Sequence, residues 1–130
     1  MATRLGLAKG DLILEVGHSS DCDEDLRTQI REITATDFLD GDVNEVVDAV
    51  ILWWRDSDGD LVDELVDALT YLSESGPIWV LTPKSGRLEH VPPSDIQDAA
   101  PIAGLSQTST IAVAKDWTAT RLVARKAGKR

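Results

Sequence analysis

Cysteine is almost absent from this sequence, in which Cys22 is the single example among 130 residues. An intramolecular disulfide is therefore excluded, and no set of cysteines and histidines has the spacing of a structural metal site. Only two histidines occur, His18 and His90, and no nucleophile motif such as G-x-S-x-G accompanies them. Nothing here supports a hydrolase triad. We expect a fold that depends on packing alone and holds no metal.

A long hydrophobic run is also missing, since no apolar stretch reaches the length of about 18 residues that a membrane-spanning helix requires. The first ten residues have no apolar core of the kind found in secretory signals. The 130 residues are too few for two domains, while 42% hydrophobic residues suffice for one core. We expect a cytoplasmic protein with one domain over residues 1–125 and a basic, disordered tail over residues 126–130.

Positive charge is scarce, because 13 basic residues face 23 acidic ones and the net charge is -10. Several of the basic residues crowd into the last ten positions, namely Arg121, Arg125, Lys126, Lys129 and Arg130. The rest of the chain is therefore strongly acidic, whereas proteins that bind phosphate backbones carry a basic face on the folded domain. We expect no nucleic-acid partner and no membrane partner.

Strand-like and helix-like apolar patterns alternate along the chain. Short apolar runs predict strands at residues 12–16, 34–39, 48–54 and 78–82. Helical spacing predicts a helix over residues 23–33, two more after caps at Asp60 and Ser94, and one helical turn at 41–47. Two β-rich runs, 109–114 and 119–124, predict an antiparallel hairpin. The predicted fold class is α/β: a Rossmann-like three-layer sandwich with a mainly parallel sheet of about six strands ending in that hairpin.

A resemblance to a known superfamily begins at residues 9–17, Lys-Gly-Asp-Leu-Ile-Leu-Glu-Val-Gly. This segment looks like the lead-in to the first motif of class I S-adenosylmethionine-dependent methyltransferases. Residues 47–50, 76–80 and 103–105 fit the same layout in the right order. The resemblance implies a shortened methyltransferase-like scaffold, with one strand–helix unit missing after the second strand.

The loop after the first strand departs from that superfamily's pattern. There, a glycine-rich loop lets the backbone approach the cofactor and turns a helix N-terminus towards it. Here the loop after Gly17 has no further glycine and carries four carboxylates, those of Asp21, Asp23, Glu24 and Asp25. These carboxylates would repel a phosphate, and the loop is poorly suited to let an adenosine group approach. We therefore expect no cofactor.

Over nearly its full length the chain also resembles an uncharacterised actinobacterial family, catalogued as domain of unknown function 3052. The residues that carry this resemblance are Leu5-Gly6-Leu7, Leu14-Glu15-Val16-Gly17, Asp23-Glu24-Asp25-Leu26-Arg27, Trp53-Trp54-Arg55-Asp56, Asp58-Gly59-Asp60-Leu61-Val62-Asp63, Leu81-Thr82-Pro83-Lys84 and Lys115-Asp116-Trp117. The family supplies relatives and implies no activity.

Candidate ligand-binding residues gather where the predicted strands end, because open α/β sheets bind ligands beyond the carboxyl ends of their strands. They are His18, Asp21 and Asp23 after the first strand, Asp40 after the second, Arg55 and Asp56 after the third, and Pro83 and Lys84 after the fourth. Adjacent tryptophans, Trp53 and Trp54, must point to opposite faces of their strand. Either both pack in the core, or Trp54 offers an aromatic platform beside Arg55. The arginine either pairs with Asp56 or Asp58, or holds an anion.

Three further patterns have two readings each. Residues 56–60 resemble a calcium loop with a misplaced glycine, and we prefer an acidic turn that caps a helix. Cys22 precedes a helix but lies between two aspartates, so we expect no reactive thiol. Lys84, Arg87 and His90 form a basic cluster on a proline-rich loop, which either holds an anion or acidic partner or is ordinary surface.

These patterns leave three hypotheses for function. The first is a non-catalytic binding or regulatory module that has lost cofactor binding and contacts a protein or small ligand at the strand ends. The second is a small enzyme or a nucleotide- or anion-binding protein, in which Arg55 and Lys84 hold an anion and Asp21 or Asp23 acts as a base. The third is a self-associating protein that dimerises through the terminal hairpin or an exposed Trp117.

Overall fold

The computed structural model describes residues 2–39 and 45–125. A short 3-10 helix, Ala2–Leu5, precedes the main elements. In chain order these are β1 (Ile13–Val16), α1 (Glu24–Thr34), β2 (Ala49–Trp53), α2 (Leu61–Leu69), β3 (Pro77–Pro83), α3 (Pro93–Ile102), β4 (Leu105–Ala112) and β5 (Trp117–Ala124). Asp40, most of the helical turn predicted at 41–47 and the basic tail at 126–130 lie outside the described residues.

The strands form one sheet in the order β1-β2-β3-β5-β4. β1, β2 and β3 are parallel neighbours, and β5 runs antiparallel to both β3 and β4. All strands except β5 therefore point the same way, and the predicted terminal hairpin is confirmed. Because β5 is reversed, its first residue, Trp117, lies at the same edge of the sheet as the carboxyl ends of β1, β2 and β3.

Two apolar cores cover the two faces of the sheet. On one face α1 packs against alternate strand residues such as Ile13, Ile51 and Leu81. On the other face α2 and α3 pack against the residues between them, including Val50 and Val80. Every residue of β2 is buried, as expected for a strand covered on both sides. The chain thus has the three layers of a Rossmann-like α/β sandwich.

Three details of the sequence prediction are wrong. The sheet has five strands in the described part of the chain, not six. Residues 34–39 form no strand, because α1 continues to Thr34 and ends with Ala35 in the left-handed conformation at a φ of 60°, which leaves only a single bridge from Leu39 to Leu14. Ser94 does not cap α3: the cap is Pro92, and Pro93 starts the helix with a φ already suited to it.

The predicted cap at Asp60 is confirmed, and Asp23 caps α1 in the same way. Asp23 precedes α1 and accepts a hydrogen bond from the Leu26 amide, and Asp60 does the same for the Asp63 amide of α2. The acidic turn at residues 56–60 therefore leads into α2 and caps it through Asp60. In the described part of the chain, no helix has both the length and the apolar character needed to cross a membrane.

Gly17 allows the loop after β1 to approach the end of β2 closely. Its φ is +84°, and an added Cβ would lie 2.4 Å from the Trp53 carbonyl oxygen. Gly6 has a similar φ of +73° with open space around it. We expect Gly6→Ala to cost about 1 kcal/mol for the left-handed backbone alone, and Gly17→Ala at least about twice that because the clash adds to it. Urea unfolding of both variants measures the difference, and equal losses would contradict the close approach.

Candidate functional site

Arg55 occupies the centre of the sheet edge at which ligands were expected. Two residues after the end of β2, Arg55 is only 9% exposed to solvent. A charged group this deeply buried must be paired and hydrogen-bonded, since removing an isolated charge from water costs several kcal/mol. Its neighbours come from the loop after β1, from β2 itself, from the turn before α2 and from the start of β5.

Every N–H group of the Arg55 guanidinium has an acceptor within the protein. The Nε group donates to Asp21 Oδ2 at 3.0 Å, and Nη2 donates to the other oxygen of the same carboxylate and to Cys22 Sγ at 3.4 Å. The Nη1 group donates to the carbonyl oxygens of Gly17, at 2.7 Å, and Trp53, at 3.2 Å. Because these bonds use the full set of guanidinium donors, none remains for an external anion.

An aromatic wall closes one side of this arrangement. The Trp117 ring lies 5.5 Å from the Arg55 guanidinium carbon, within the range of a cation–π contact. The same ring meets Trp53 edge to face, with ring centres 4.8 Å apart. Trp117 is 3% exposed, so the prediction that it is exposed is wrong. The reversed direction of β5 explains this, because it places Trp117 beside the end of β2.

The same contacts set the ionisation of the neighbouring groups. The hydrogen bonds from Arg55 lower the pKa of Asp21 below its ordinary value, which makes Asp21 a weak base. Burial is the main reason that the pKa of the Cys22 thiol is raised. A thiol with a raised pKa is mostly protonated at neutral pH and therefore a poor nucleophile.

We call the residues that surround this guanidinium, together with Arg55 itself, the Arg55 cluster. Its members are Gly17, Asp21, Cys22, Trp53, Arg55 and Trp117.

A second buried ion pair joins α1 to the sheet. Arg27 contacts both carboxylate oxygens of Glu15 at 2.7 Å, and the Glu15 carboxylate also accepts a hydrogen bond from Trp53 Nε1 at 2.9 Å. The Glu15 side chain is 6% exposed. Sequence reasoning overlooked this residue, although an acid within the apolar run of a buried strand signals a buried partner. The pair fixes α1 against the strand that leads into the loop.

The N-terminus of α1 is occupied by the protein's own carboxylates. Asp23 caps it, and Glu24 lies 2.9 Å from His18 Nε2 and 2.8 Å from Arg27. Outside this end lies an open depression of about 290 Å³, lined by Asp21, Cys22, Asp23, Glu24, Asp25, Asp116 and Trp117. A helix N-terminus favours negative ligands, but here carboxylates both cap it and surround it.

The remaining predicted site residues lie apart from the Arg55 cluster. Trp54 packs on the opposite face of the sheet from Trp53, as adjacent strand residues must, and is 6% exposed. Asp56 is exposed and lines, with Trp54, Asp60, Asp95 and other residues, an acidic cleft of about 440 Å³ between α2 and α3. Within the described ranges, no group of three or more His, Cys, Asp or Glu side chains could hold a metal ion.

The predicted basic cluster lies on the loop after β3, and two of its three side chains have partners within the protein. Arg87 Nη2 is 2.7 Å from Asp116 Oδ1 in an exposed ion pair. The Lys84 amide donates to the Asp116 carbonyl, which ties the loop to the β4–β5 turn. His90 Nδ1 lies 2.8 Å from the Pro83 carbonyl oxygen. The Arg87 and His90 side chains are therefore held by different partners, Asp116 and the Pro83 carbonyl.

Solved structures with a similar fold include methyltransferases. The glycopeptide N-methyltransferase MtfA superposes with a TM-score of 0.64 over 95% of this chain and 87% of its own, at 12% sequence identity. A TehB-like methyltransferase from Corynebacterium glutamicum gives a TM-score of 0.61 over 95% and 85%, at 13% identity. At such low identity the similarity defines the fold class alone: this is a methyltransferase-like, Rossmann-like domain.

The chain belongs to the family described as Protein of unknown function (DUF3052), whose model matches residues 2–126. The uncharacterised protein Rv2239c of Mycobacterium tuberculosis is 50% identical over 99% of this chain and 82% of its own length. Mb2263c of Mycobacterium bovis matches to the same extent. Both relatives are mycobacterial, and the resemblance to an actinobacterial family is confirmed.

Replacing Arg55 should destabilise the protein more than replacing an exposed arginine. We expect Arg55→Met to lower the free energy of unfolding by about 2–4 kcal/mol, because the Gly17 and Trp53 carbonyls lose their donors. Arg87→Met breaks an exposed pair and should cost less than about 1 kcal/mol. Urea unfolding at neutral pH compares the two, and a loss for Arg55→Met as small as the control's would contradict the buried network.

The Asp21–Arg55 pair should give stability a defined pH dependence. Folding lowers the pKa of Asp21 from its ordinary 3.8, so the stabilisation is complete above that value and is lost as the pH falls through the lower, folded-state pKa. The stability difference between the wild type and Asp21→Asn should be constant between about pH 5 and 7 and shrink below about pH 4. Asp25→Asn removes the same charge nearby as a control. A difference that persists undiminished at low pH would refute the assignment.

Proposed function

We propose that this protein is a non-catalytic binding module that keeps a methyltransferase-like scaffold and no longer binds S-adenosylmethionine. The observation that carries the proposal is the Arg55 cluster. Where the loop after the first strand would have to open onto a cofactor, a guanidinium from the end of β2 is bonded to the Gly17 carbonyl and the Asp21 carboxylate. Any ligand entering there must first displace this arginine.

The electrostatics of the first loop support the same proposal. The methionine part of S-adenosylmethionine ends in a carboxylate, which a free helix N-terminus would favour. The α1 N-terminus is instead capped by Asp23, with Glu24 and Asp25 in its first turn. The carboxylate of the ligand would be repelled by all three of these side chains. The open depression outside this loop is lined by carboxylates and by no lysine or arginine, so it offers the ligand's carboxylate no partner of opposite charge.

The enzyme hypothesis finds less support at this edge. Arg55 would need free donors to hold an anion, and its donors are all used. Asp21 would need a raised pKa to act as a base near neutral pH, and its pKa is lowered. We also propose that the module acts in the cytoplasm, where a free thiol such as that of Cys22 stays reduced.

Isothermal titration calorimetry with S-adenosylmethionine and S-adenosylhomocysteine tests the proposal. We expect no heat of binding at ligand concentrations up to about 1 mM, whereas a methyltransferase measured in parallel as a positive control should bind in the micromolar range. Micromolar binding to this chain would refute the loss of cofactor. The Arg55→Met variant belongs in the same series, because new binding by that variant alone would show that the arginine blocks the site.

A further inference from the structure

A cavity of about 230 Å³ lies on the opposite face of the sheet from the Arg55 cluster. Its floor is the β3–β5–β4 part of the sheet, its wall is the start of α3, and the loop after β3 borders it. Its lining includes Thr82, Thr118, Thr120, His90, Pro93 and Ile96. Whether S-adenosylmethionine binds at the first loop has no bearing on this cavity, because the sheet separates the two.

Two buried threonines face the cavity with unused hydroxyl groups. Thr82 and Thr120 are each 4% exposed, and they lie diagonally opposite each other on adjacent strands, since Thr82 pairs with Thr118 and Thr120 with Val80. Neither hydroxyl is hydrogen-bonded to any residue that the structure describes, while both side chains line the cavity. Neither hydroxyl oxygen is fully enclosed by the protein, so both are accessible from the cavity.

A third buried threonine, Thr34, has a hydrogen-bond partner within the protein. Thr34 is 1% exposed, and its hydroxyl lies 3.1 Å from the Ile30 carbonyl oxygen, to which it donates. The two in the cavity lack such a partner, so their bonding capacity is open to something that enters it.

His90 adds a polar group of fixed orientation. A carbonyl oxygen can only accept, so the 2.8 Å contact with Pro83 requires that His90 Nδ1 carry the hydrogen. In the neutral ring, Nε2 is then an acceptor on a side chain that lines the cavity. Two hydroxyls that both donate and accept, together with one acceptor, complement a ligand that has donors and acceptors of its own.

The rest of the lining limits the ligand's charge and size. Pro93 and Ile96 supply an apolar wall, and neither a carboxylate, a lysine nor an arginine lines the cavity. An apolar cavity of about 150 Å³ accommodates benzene, so 230 Å³ suits one ring with a small substituent. We propose that this cavity is a binding site for a small, uncharged, single-ring molecule bearing a hydrogen-bonding group such as a carboxamide or hydroxyl.

Protein-observed NMR titration of the full chain with benzamide, phenol and benzyl alcohol tests the site. We expect saturable amide shifts at Thr82, Val91 and Thr120, with dissociation constants on the order of 1 mM for at least one probe. Toluene, benzoate and benzylammonium should bind at least about tenfold more weakly, because the first cannot bond to the hydroxyls and the others bring an uncompensated charge. Absence of saturable shifts with every probe, or equal binding of toluene, would overturn the proposal.

Valine variants separate ligand recognition from folding. Thr82→Val and Thr120→Val should weaken the best probe by about tenfold or more while the melting temperature stays the same or rises. Thr34→Val is the matched control and should lower the melting temperature without affecting probe binding. If the cavity variants bind as tightly as the wild type, or if they lose stability as the control does, the two hydroxyls serve the fold and the proposal fails.

Discussion

The buried positive charge of Arg55 is the constraint on which the sheet edge depends. Its desolvation would cost several kcal/mol if the charge were unpaired, so the surrounding chain has to supply acceptors. Asp21 and the Gly17 carbonyl supply them from the loop after β1, and the Trp53 carbonyl supplies another from the end of β2. The loop is held in place by this demand, and its close approach to β2 in turn requires a glycine at position 17.

In the function that we propose, this constraint separates the scaffold from the activity that the scaffold supports elsewhere. In a Rossmann-like sheet the carboxyl edge is the place for ligands because neighbouring loops diverge there. In this chain the loops after β1 and β2 are bridged by an ion pair, and Trp117 from β5 covers it. The fold is preserved by its two cores, which lie on either side of the sheet and do not depend on that edge being open. A shared fold alone does not establish a shared function.

Much of the fold could be predicted from the sequence, because apolar periodicity determines which segments are buried. The β2 run and the terminal hairpin were predicted in this way, and the cap at Asp60 followed from its place before a helical pattern. The prediction of a strand at 34–39 was wrong, because the conformation of that segment depends on how far α1 continues. Among the site residues, Arg55 and Asp21 were recognised as neighbours at one edge. Their direct pairing, the burial of Trp117 and the cavity-accessible hydroxyls of Thr82 and Thr120 depend on tertiary packing that local patterns do not encode.

The most direct test of the central claim is a crystal structure of the protein grown with several-fold more S-adenosylhomocysteine than a methyltransferase needs for saturation. We predict that Arg55 will be bonded to Asp21 and to the Gly17 carbonyl, with no ligand density between the loop after β1 and the end of β2. Density for the nucleoside at this edge, with the arginine turned out of the cluster, would contradict the account.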